Sequence, residues 1–123
     1  KILSSSTYDK TIILNPKKED KLCQFEIFGP VVTIHEYDEF ESAISEANEV
    51  NTSFQTSIFS NKVDEVLKFY ENINASSVFH NEHTAFRVDW MPFAGLKHSG
   101  HGIGGMKYSM NDMQIEKMLV LKK

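Results

Sequence analysis

The sequence contains a single cysteine, Cys23, among its 123 residues, so it cannot form an internal disulfide, and a reducing compartment is expected. It has no apolar run long enough to cross a bilayer. It also has no excess of positive charge, since the formal net charge is −4. Such a chain has no electrostatic affinity for nucleic acid or an anionic membrane. We therefore expect a cytoplasmic protein that binds neither.

The composition is that of a globular protein, with 41% hydrophobic and 24% charged residues. A chain of 123 residues can form one small domain or part of a larger one. It contains no internal repeat, low-complexity tract or linker, so we predict no domain boundary from composition.

Four short segments rich in β-branched and aromatic residues predict strands. These are Thr11 to Leu14, Val31 to Ile34, Gln55 to Phe59 and Ser76 to Phe79. Lys17 to Lys21 predicts a charged surface loop. The nine residues from Met106 to Gln114 predict a short helix.

Two amphipathic helices are predicted between the later strands. Asp38 and Glu41 have the spacing of a capping box at the start of the first helix, and Asn61 is the expected cap of the second. Each helix has one apolar stripe at helical spacing. The first stripe is Phe40, Ala43, Ile44, Ala47 and Val50, and the second is Val63, Val66, Leu67, Tyr70 and Ile73.

The resulting β-α-β-α-β order predicts an α/β fold, a three-layer βαβαβ parallel sheet with right-handed crossovers. Ligands bind beyond the carboxyl ends of such strands, which favours residues 80–86 as a functional region. Residues 81–105 are predicted to be loop-like. The apolar segment Ile115 to Leu121 is expected to pair either with the home sheet or with another subunit.

Gly100 to Gly105 matches the G-x-G-x-x-G pattern, but no strand precedes it and too few residues follow for a dinucleotide-binding unit. We interpret these glycines as allowing a tight backbone path. The histidines also suggest a metal site, but they lie in loop-like sequence without a known ligand pattern, so we predict no metal. They are His80, His83, His98 and His101.

Three further residues each have a structural and a functional interpretation. Cys23 could be a nucleophile, but no base lies beside it in the sequence, and a small buried residue is favoured. Arg87 and Asp89 could pair with each other or with neighbours, or Arg87 could bind an anionic substrate tail. Glu26 stands between Phe25 and Ile27; a neighbour must satisfy its carboxylate, or the group awaits a ligand.

Four segments in order resemble the aldehyde dehydrogenase superfamily. Glu26-Ile-Phe-Gly-Pro-Val31 is similar to its E-x-F-G-P motif, and Pro92-Phe-Ala-Gly-Leu-Lys-His-Ser-Gly100 to its P-F-G-G-x-K-x-S-G motif. Ala43 to Asn48 resembles the family's A-I-x-x-A-N helix, and Val78 to Asn81 its V-x-x-N strand end. The resemblance is to the C-terminal part of a longer chain. Because this chain begins at Lys1 rather than Met, we expect a fragment.

The resemblance implies roles for individual residues. Glu26 would accept hydrogen bonds from the nicotinamide-ribose hydroxyls of NAD or NADP, and Phe28 would pack against the nicotinamide end. The substrate pocket would include His83, Thr84, Ala85, Phe86 and Phe93. No catalytic residue is expected in this chain, because the family's cysteine nucleophile, glutamate base and Rossmann-like phosphate site would lie upstream of it.

The implied whole protein is an NAD(P)-dependent oxidoreductase that converts a small-molecule aldehyde into a carboxylic acid. Residues 1–123 would be the C-terminal portion of that enzyme, catalytic to about residue 113, with an oligomerisation strand at about 114–123 that joins a homodimer or homotetramer. The fragment alone is expected to be inactive. Phe25, Ala94 and Ile103-Gly104-Gly105 depart from the residues that many members carry, and a left-handed backbone at Ala94 would be strained.

Two other interpretations remain open at this level. One is a non-catalytic α/β interaction module in which Glu26 and the glycine-rich loop are structural. The other is a cysteine hydrolase that uses Cys23 and one histidine.

Overall fold

The computed structural model describes residues 9–123, in which short strands alternate with helices. The elements are β1 Thr11–Leu14, α1 Lys21–Gln24, β2 Val31–Ile34, α2 Phe40–Glu49, β3 Thr52–Ser53, β4 Gln55–Ile58, α3 Val63–Asn72, β5 Ser77–His80, β6 Leu96–Lys97 and α4 Met106–Asp112. All four predicted strands are present, within about one residue of their expected bounds. The sequence did not predict α1, β3 or β6.

The strands form three separate two-stranded sheets among the described residues. β1 pairs with β2 and β4 pairs with β5, both in parallel, whereas β3 pairs antiparallel with β6. The α/β class and the parallel pairing are therefore confirmed. The sequence predicted one continuous parallel sheet. In the structure β2 and β4 belong to different sheets, so this sheet is divided between them. Residue periodicity identifies a strand, but it does not identify the neighbour to which the strand bonds.

The core lies between α2, α3 and the β4–β5 pair. Ile44, Ile58 and Phe69 are buried together, and the rings of Phe40 and Phe69 lie 6.2 Å apart. Phe79 on β5 is also buried. This packing joins the two crossover helices to one parallel pair, so it holds the ends of β4 and β5 in place.

The buried face of α3 differs from the predicted stripe. Val66 and Ile73 contact the core as expected. The prediction was wrong for Val63, Leu67 and Tyr70, which are 67%, 53% and 65% exposed. Phe69, which was not in the predicted stripe, is the buried residue of α3. The helix packs with this side of its surface against the core, because a large aromatic side chain gains most from burial.

The cap of α3 also differs from the prediction. Helix α3 follows Lys62 rather than Asn61. The hydroxyl of Ser60 accepts a hydrogen bond from the Lys62 N–H at 3.1 Å and donates to Glu65 Oε2 at 2.7 Å. The ammonium group of Lys62 and this hydroxyl together lower the pKa of Glu65. At α2, neither Asp38 nor Glu39 provides a side-chain cap, and the carbonyl of Glu39 accepts from the Ser42 hydroxyl instead.

This arrangement predicts unequal effects of two neighbouring substitutions. Ser60→Ala removes both the acceptor for Lys62 and the donor to Glu65, so we expect it to lower the free energy of unfolding by about 1 kcal/mol. Asn61→Ala should change it by less than about 0.5 kcal/mol. Urea unfolding followed by circular dichroism measures both. A larger loss of unfolding free energy in the Asn61 variant would instead support Asn61 as the cap, as expected from the sequence.

The C-terminal segment after α4 forms no strand with any other described residue. The side chains of Ile115 and Leu121 are 95% and 84% exposed. A strand completed by another subunit has no partner in a single chain, so the predicted oligomerisation strand stays a prediction.

Within residues 9–123, no helix has both the length and the apolar character needed to span a bilayer.

Candidate functional site

A cleft of about 1020 Å³ lies between α2 and the loop that precedes α4. Its lining comes from the segment around α1, from β2 and α2, from β3 and β4, and from residues of the β5–α4 connection. That connection contributes Thr84, Phe93, Gly95, His98 and Ser99. Elements distant in sequence therefore meet around one concave surface.

Glu26 belongs to this lining. Helix α1 ends at Gln24, and tight backbone bonds follow, from Gly29 N–H to the Ile27 carbonyl at 2.9 Å and from Val31 N–H to the Gly29 carbonyl at 2.8 Å. The carboxylate is exposed and makes no hydrogen bond or ion pair with any residue between 9 and 123. No neighbour among residues 9–123 satisfies this carboxylate, and its contact with a ligand stays a prediction.

Phe28 does not share this cleft. Its side chain is 93% exposed and lies outside the lining. The contact between this ring and a nicotinamide therefore stays a prediction.

The predicted substrate pocket is only partly assembled in the cleft. Thr84 and Phe93 are in the lining, whereas His83, Ala85 and Phe86 are outside it. The backbone N–H of His83 donates to its neighbour, Glu82 Oε1, at 2.9 Å. Thr84 and Phe93 are therefore the pocket candidates that face the same space as Glu26.

Phe93 is held by its backbone and its ring. It exchanges two backbone hydrogen bonds with Gly104, at 2.9 and 2.7 Å, and its ring meets the edge of Phe54 at a centroid distance of 4.7 Å. A Cβ at Gly104 would lie 3.2 Å from the Phe93 carbonyl oxygen, and one at Gly95 would lie 2.5 Å from the Ser99 backbone. The glycines allow close backbone approach here, as the sequence interpretation proposed.

Arg87 lies against the same ring. Its guanidinium carbon is 4.7 Å from the centroid of Phe93, and an N–H group donates to the Met91 carbonyl at 3.3 Å. Among the described residues it forms no ion pair with Asp89, and its contacts with Met91 and Phe93 realise the structural alternative of a pairing with neighbours. A stacked guanidinium keeps its in-plane donors available for a carboxylate, phosphate or sulfonate group.

Cys23 is half-buried in the lining of the cleft. Burial raises the pKa of its thiol, and the nearby charges of Asp20 and Glu46 raise it further. The imidazole of His35, another lining residue, is 3.1 Å from Glu46 Oε1 through its Nδ1. A thiol kept protonated is a weak nucleophile, so these contacts weigh against the cysteine hydrolase.

The histidines do not converge on a metal site. Between residues 9 and 123, no three side chains of His, Cys, Asp or Glu are placed to hold a metal ion. His80 Nε2 lies 2.8 Å from the Ser60 carbonyl, and His83 Nε2 lies 3.4 Å from Glu82.

Sequence reasoning missed two residues that organise the cleft. The ammonium of Lys97 donates to two carbonyl groups at the end of α2, and Ser99 Oγ accepts from the Ser53 N–H at 2.8 Å. One clue to Lys97 was available, because α2 has no basic residue in its last turn. Lys97 has φ +52°, whereas Ala94 is not among the residues with positive φ, so its methyl group causes no strain.

Comparison with known proteins identifies what this chain is similar to. A model of the aldehyde dehydrogenase family matches residues 4–119. The chain is 37% identical over 114 residues to the 3-sulfolactaldehyde dehydrogenase of Priestia megaterium, an alignment that covers 93% of this chain and 24% of that protein. The chain thus spans about a quarter of the length of that relative.

Two solved structures share the fold. Aldehyde dehydrogenase 21 from Physcomitrella patens, in complex with the reaction product succinate, matches with a TM-score of 0.78 and 35% identity over 83% of this chain and 21% of its own. The glyceraldehyde-3-phosphate dehydrogenase GapN from Methanocaldococcus jannaschii, complexed with NADP, matches with a TM-score of 0.75 and 38% identity, over 83% and 22%.

Proposed function

The chain belongs to the aldehyde dehydrogenase family, and from this premise we propose that it is the C-terminal part of an NAD(P)-dependent enzyme that oxidises an aldehyde to a carboxylic acid. The observation that carries the proposal is the position of Glu26. Its carboxylate, without a partner among residues 9–123, lines the same cleft as Thr84 and Phe93. A cofactor contact and two substrate contacts thereby share one space.

The carboxylate of Glu26 is a suitable hydrogen-bond acceptor for the ribose of a dinucleotide. A carboxylate accepts from both hydroxyl groups of a ribose diol, and this one is exposed at the cleft. NADP in the related GapN structure supports a nicotinamide cofactor. When bound, the dinucleotide would supply a hydride acceptor, and this chain's part would be to orient it through Glu26.

Residues 1–123 alone should be inactive. The one thiol in the sequence is Cys23, whose pKa is raised by burial and nearby acids, so it does not supply the thiolate that attacks the aldehyde. That nucleophile belongs to polypeptide outside these residues. The chain by itself should neither oxidise aldehydes nor bind the dinucleotide tightly.

The substrate class proposed is an aldehyde with an anionic tail. Arg87 presents its guanidinium beside Phe93, which lines the cleft, and a guanidinium binds planar or tetrahedral anions through paired N–H donors. The three related proteins support this choice. The names of two contain a sulfo group and a phosphate, and the third is in complex with the dicarboxylate succinate, its reaction product.

The assembly proposed is a homodimer or homotetramer in the cytoplasm. Ile115–Leu121 carries an exposed apolar series after α4. An unpaired apolar segment of this kind is suited to add a strand to another subunit's sheet.

A chimera tests the proposal. Residues 1–123 replace the 114 matching residues of the Priestia megaterium 3-sulfolactaldehyde dehydrogenase, and NAD(P)H formation is followed at 340 nm with anionic and neutral aldehydes. We expect aldehyde-dependent reduction in the chimera and none in residues 1–123 alone. A chimera that folds by circular dichroism but reduces no dinucleotide would favour the interaction module, and turnover by the isolated chain would contradict the division of the site.

A further inference from the structure

The C-terminal end of α2 has no cap from its own neighbourhood. Its last turn contains no basic residue, and Val50 after it is extended, with φ −66° and ψ 140°. The last carbonyl groups of a helix lack partners within the helix and form the negative end of its dipole. A cation from elsewhere in the chain is the partner that such an end attracts.

The ammonium group of Lys97 occupies this position. Its Nζ donates to the carbonyl oxygens of Asn48 and Val50, at 2.6 and 2.7 Å. Lys97 lies 49 residues after Asn48 in the sequence, so the contact joins two distant segments. Hydrogen bonds with a charged donor are shorter and stronger than those between neutral groups.

Lys97 makes this contact from an unfavourable backbone conformation. Its φ is +52°, in a region where a side chain costs energy unless the surrounding structure holds it. β6 pairs antiparallel with β3, with Lys97 opposite Thr52, and the His98 N–H donates to the Asn51 carbonyl at 3.1 Å. Backbone hydrogen bonds therefore hold the strained residue at one end, and the bonds of its ammonium group hold it at the other.

The segment so anchored is one side of the cleft. Phe93, Gly95, His98 and Ser99 line it, and residues of α2 line it as well. Ser99 Oγ also accepts the Ser53 N–H. The separation between these two sides depends on how the segment 93–99 is attached to the end of α2.

We propose that Lys97 is a positioning residue for the aldehyde-binding side of the cleft, a role that rests on the proposed function. Its two bonds to the end of α2 hold segment 93–99, and with it Phe93, at the spacing that the aldehyde requires. We call these two bonds the Lys97 clamp. Glu26 follows α1, and neither bond of the clamp involves it. Loss of Lys97 should therefore weaken aldehyde binding and leave dinucleotide binding unchanged.

The kinetic test uses the chimera described above. Lys97→Met has a side chain of similar length that cannot donate, and we expect it to raise KM for the aldehyde about tenfold, because small displacements of positioning groups are costly. The dinucleotide Kd should stay within about twofold of the original value. Lys97→Arg, which keeps the charge and its donors, should restore most of the loss. Lys107→Met on α4, an exposed lysine outside the cleft lining, is the matched control.

The structural test uses the 123-residue chain and needs no activity. Amide hydrogen exchange should accelerate about tenfold or more at His98 and Ser53 in Lys97→Met, since both N–H groups bond across the clamped junction. Lys97→Gly tolerates the positive φ but cannot donate. The same acceleration in this variant assigns the effect to the ammonium group rather than to backbone strain.

The outcomes separate the two proposals. Unchanged exchange in Lys97→Met overturns the clamp. Faster exchange with an unchanged KM, or an equal loss of dinucleotide affinity, overturns the positioning role. A folded chimera without activity contradicts the proposed function and with it the positioning role, while the exchange experiment still decides the clamp.

Discussion

Replacing Arg87 by Gln in the chimera should reduce kcat/KM for an anionic aldehyde about 10- to 100-fold, which corresponds to a lost hydrogen bond to a charged group. The loss follows from the position of the guanidinium beside the Phe93 ring, at the edge of the cleft that this ring lines. Arg87 is the only arginine among residues 1–123, so this chain supplies no second guanidinium. Because Arg87 is exposed, the effect should shrink as salt concentration rises.

Succinic semialdehyde and butanal provide the matched measurement, since both have a four-carbon chain and only the first is anionic. The Gln variant should lose activity toward the first and keep it toward the second. Arg87→Lys retains the charge but not the planar pair of donors, so its loss should be intermediate. A similar decrease with both aldehydes would show that Arg87 supports Phe93 rather than binding the anion.

Glu26→Gln should weaken NAD(P) binding by the chimera about 10- to 100-fold, because a neutral amide oxygen is a poorer acceptor for a diol than a carboxylate. The carboxylate is exposed and makes no hydrogen bond or ion pair with another residue between 9 and 123. Its replacement therefore removes no bond from the described fold, and the free energy of unfolding should change by less than about 0.5 kcal/mol.

Quenching of protein fluorescence during a dinucleotide titration measures this Kd, and urea unfolding measures the stability. Glu71→Gln removes the same charge from an exposed position on α3 and should leave the Kd unchanged. Equal Kd values for Glu26→Gln and the unmodified chimera would mean that the carboxylate does not hold the ribose. A large loss of stability would assign Glu26 a structural role instead.

Phe93 lies between the cleft proposed to bind the aldehyde and Arg87, the residue proposed to bind its anionic tail. Its ring faces the cleft, meets the edge of Phe54 and carries Arg87 on its face. The two bonds of Lys97 to the end of α2 hold the segment that follows Phe93, and the backbone bonds to Gly104 hold Phe93 itself. A specificity contact on a loop needs such support, because loops without long-range bonds are mobile.

Local patterns predicted the elements well. The four longer strands and the three longer helices follow from β-branched runs and from helical spacing of apolar residues, which act over a few positions. The caps were less predictable. Asp38 and Asn61 have the right side chains, but Ser60 satisfies the end of α3, because the backbone path of the turn decides which oxygen reaches a free N–H.

The same limit applies to the site. The sequence proposed Glu26, Thr84 and Phe93, which line the cleft, and equally His83, Ala85, Phe86 and Phe28, which lie outside the lining. Four ordered motifs indicate a family and its residues. They do not state which side chains of a loop face a shared space, since that depends on the path of the loop between distant anchors.

By itself, the sequence determined the α/β class and the family resemblance, and it proposed Glu26 as a ligand-binding carboxylate, because periodicity and ordered motifs are properties of neighbouring residues. Only the tertiary structure decided the division of the sheet, the burial of Phe69, the stacking of Arg87 on Phe93 and the clamp at Lys97. Each of these depends on a contact between segments far apart in the chain. No local pattern encodes such contacts, because their free energy is gained only when both segments have folded onto each other.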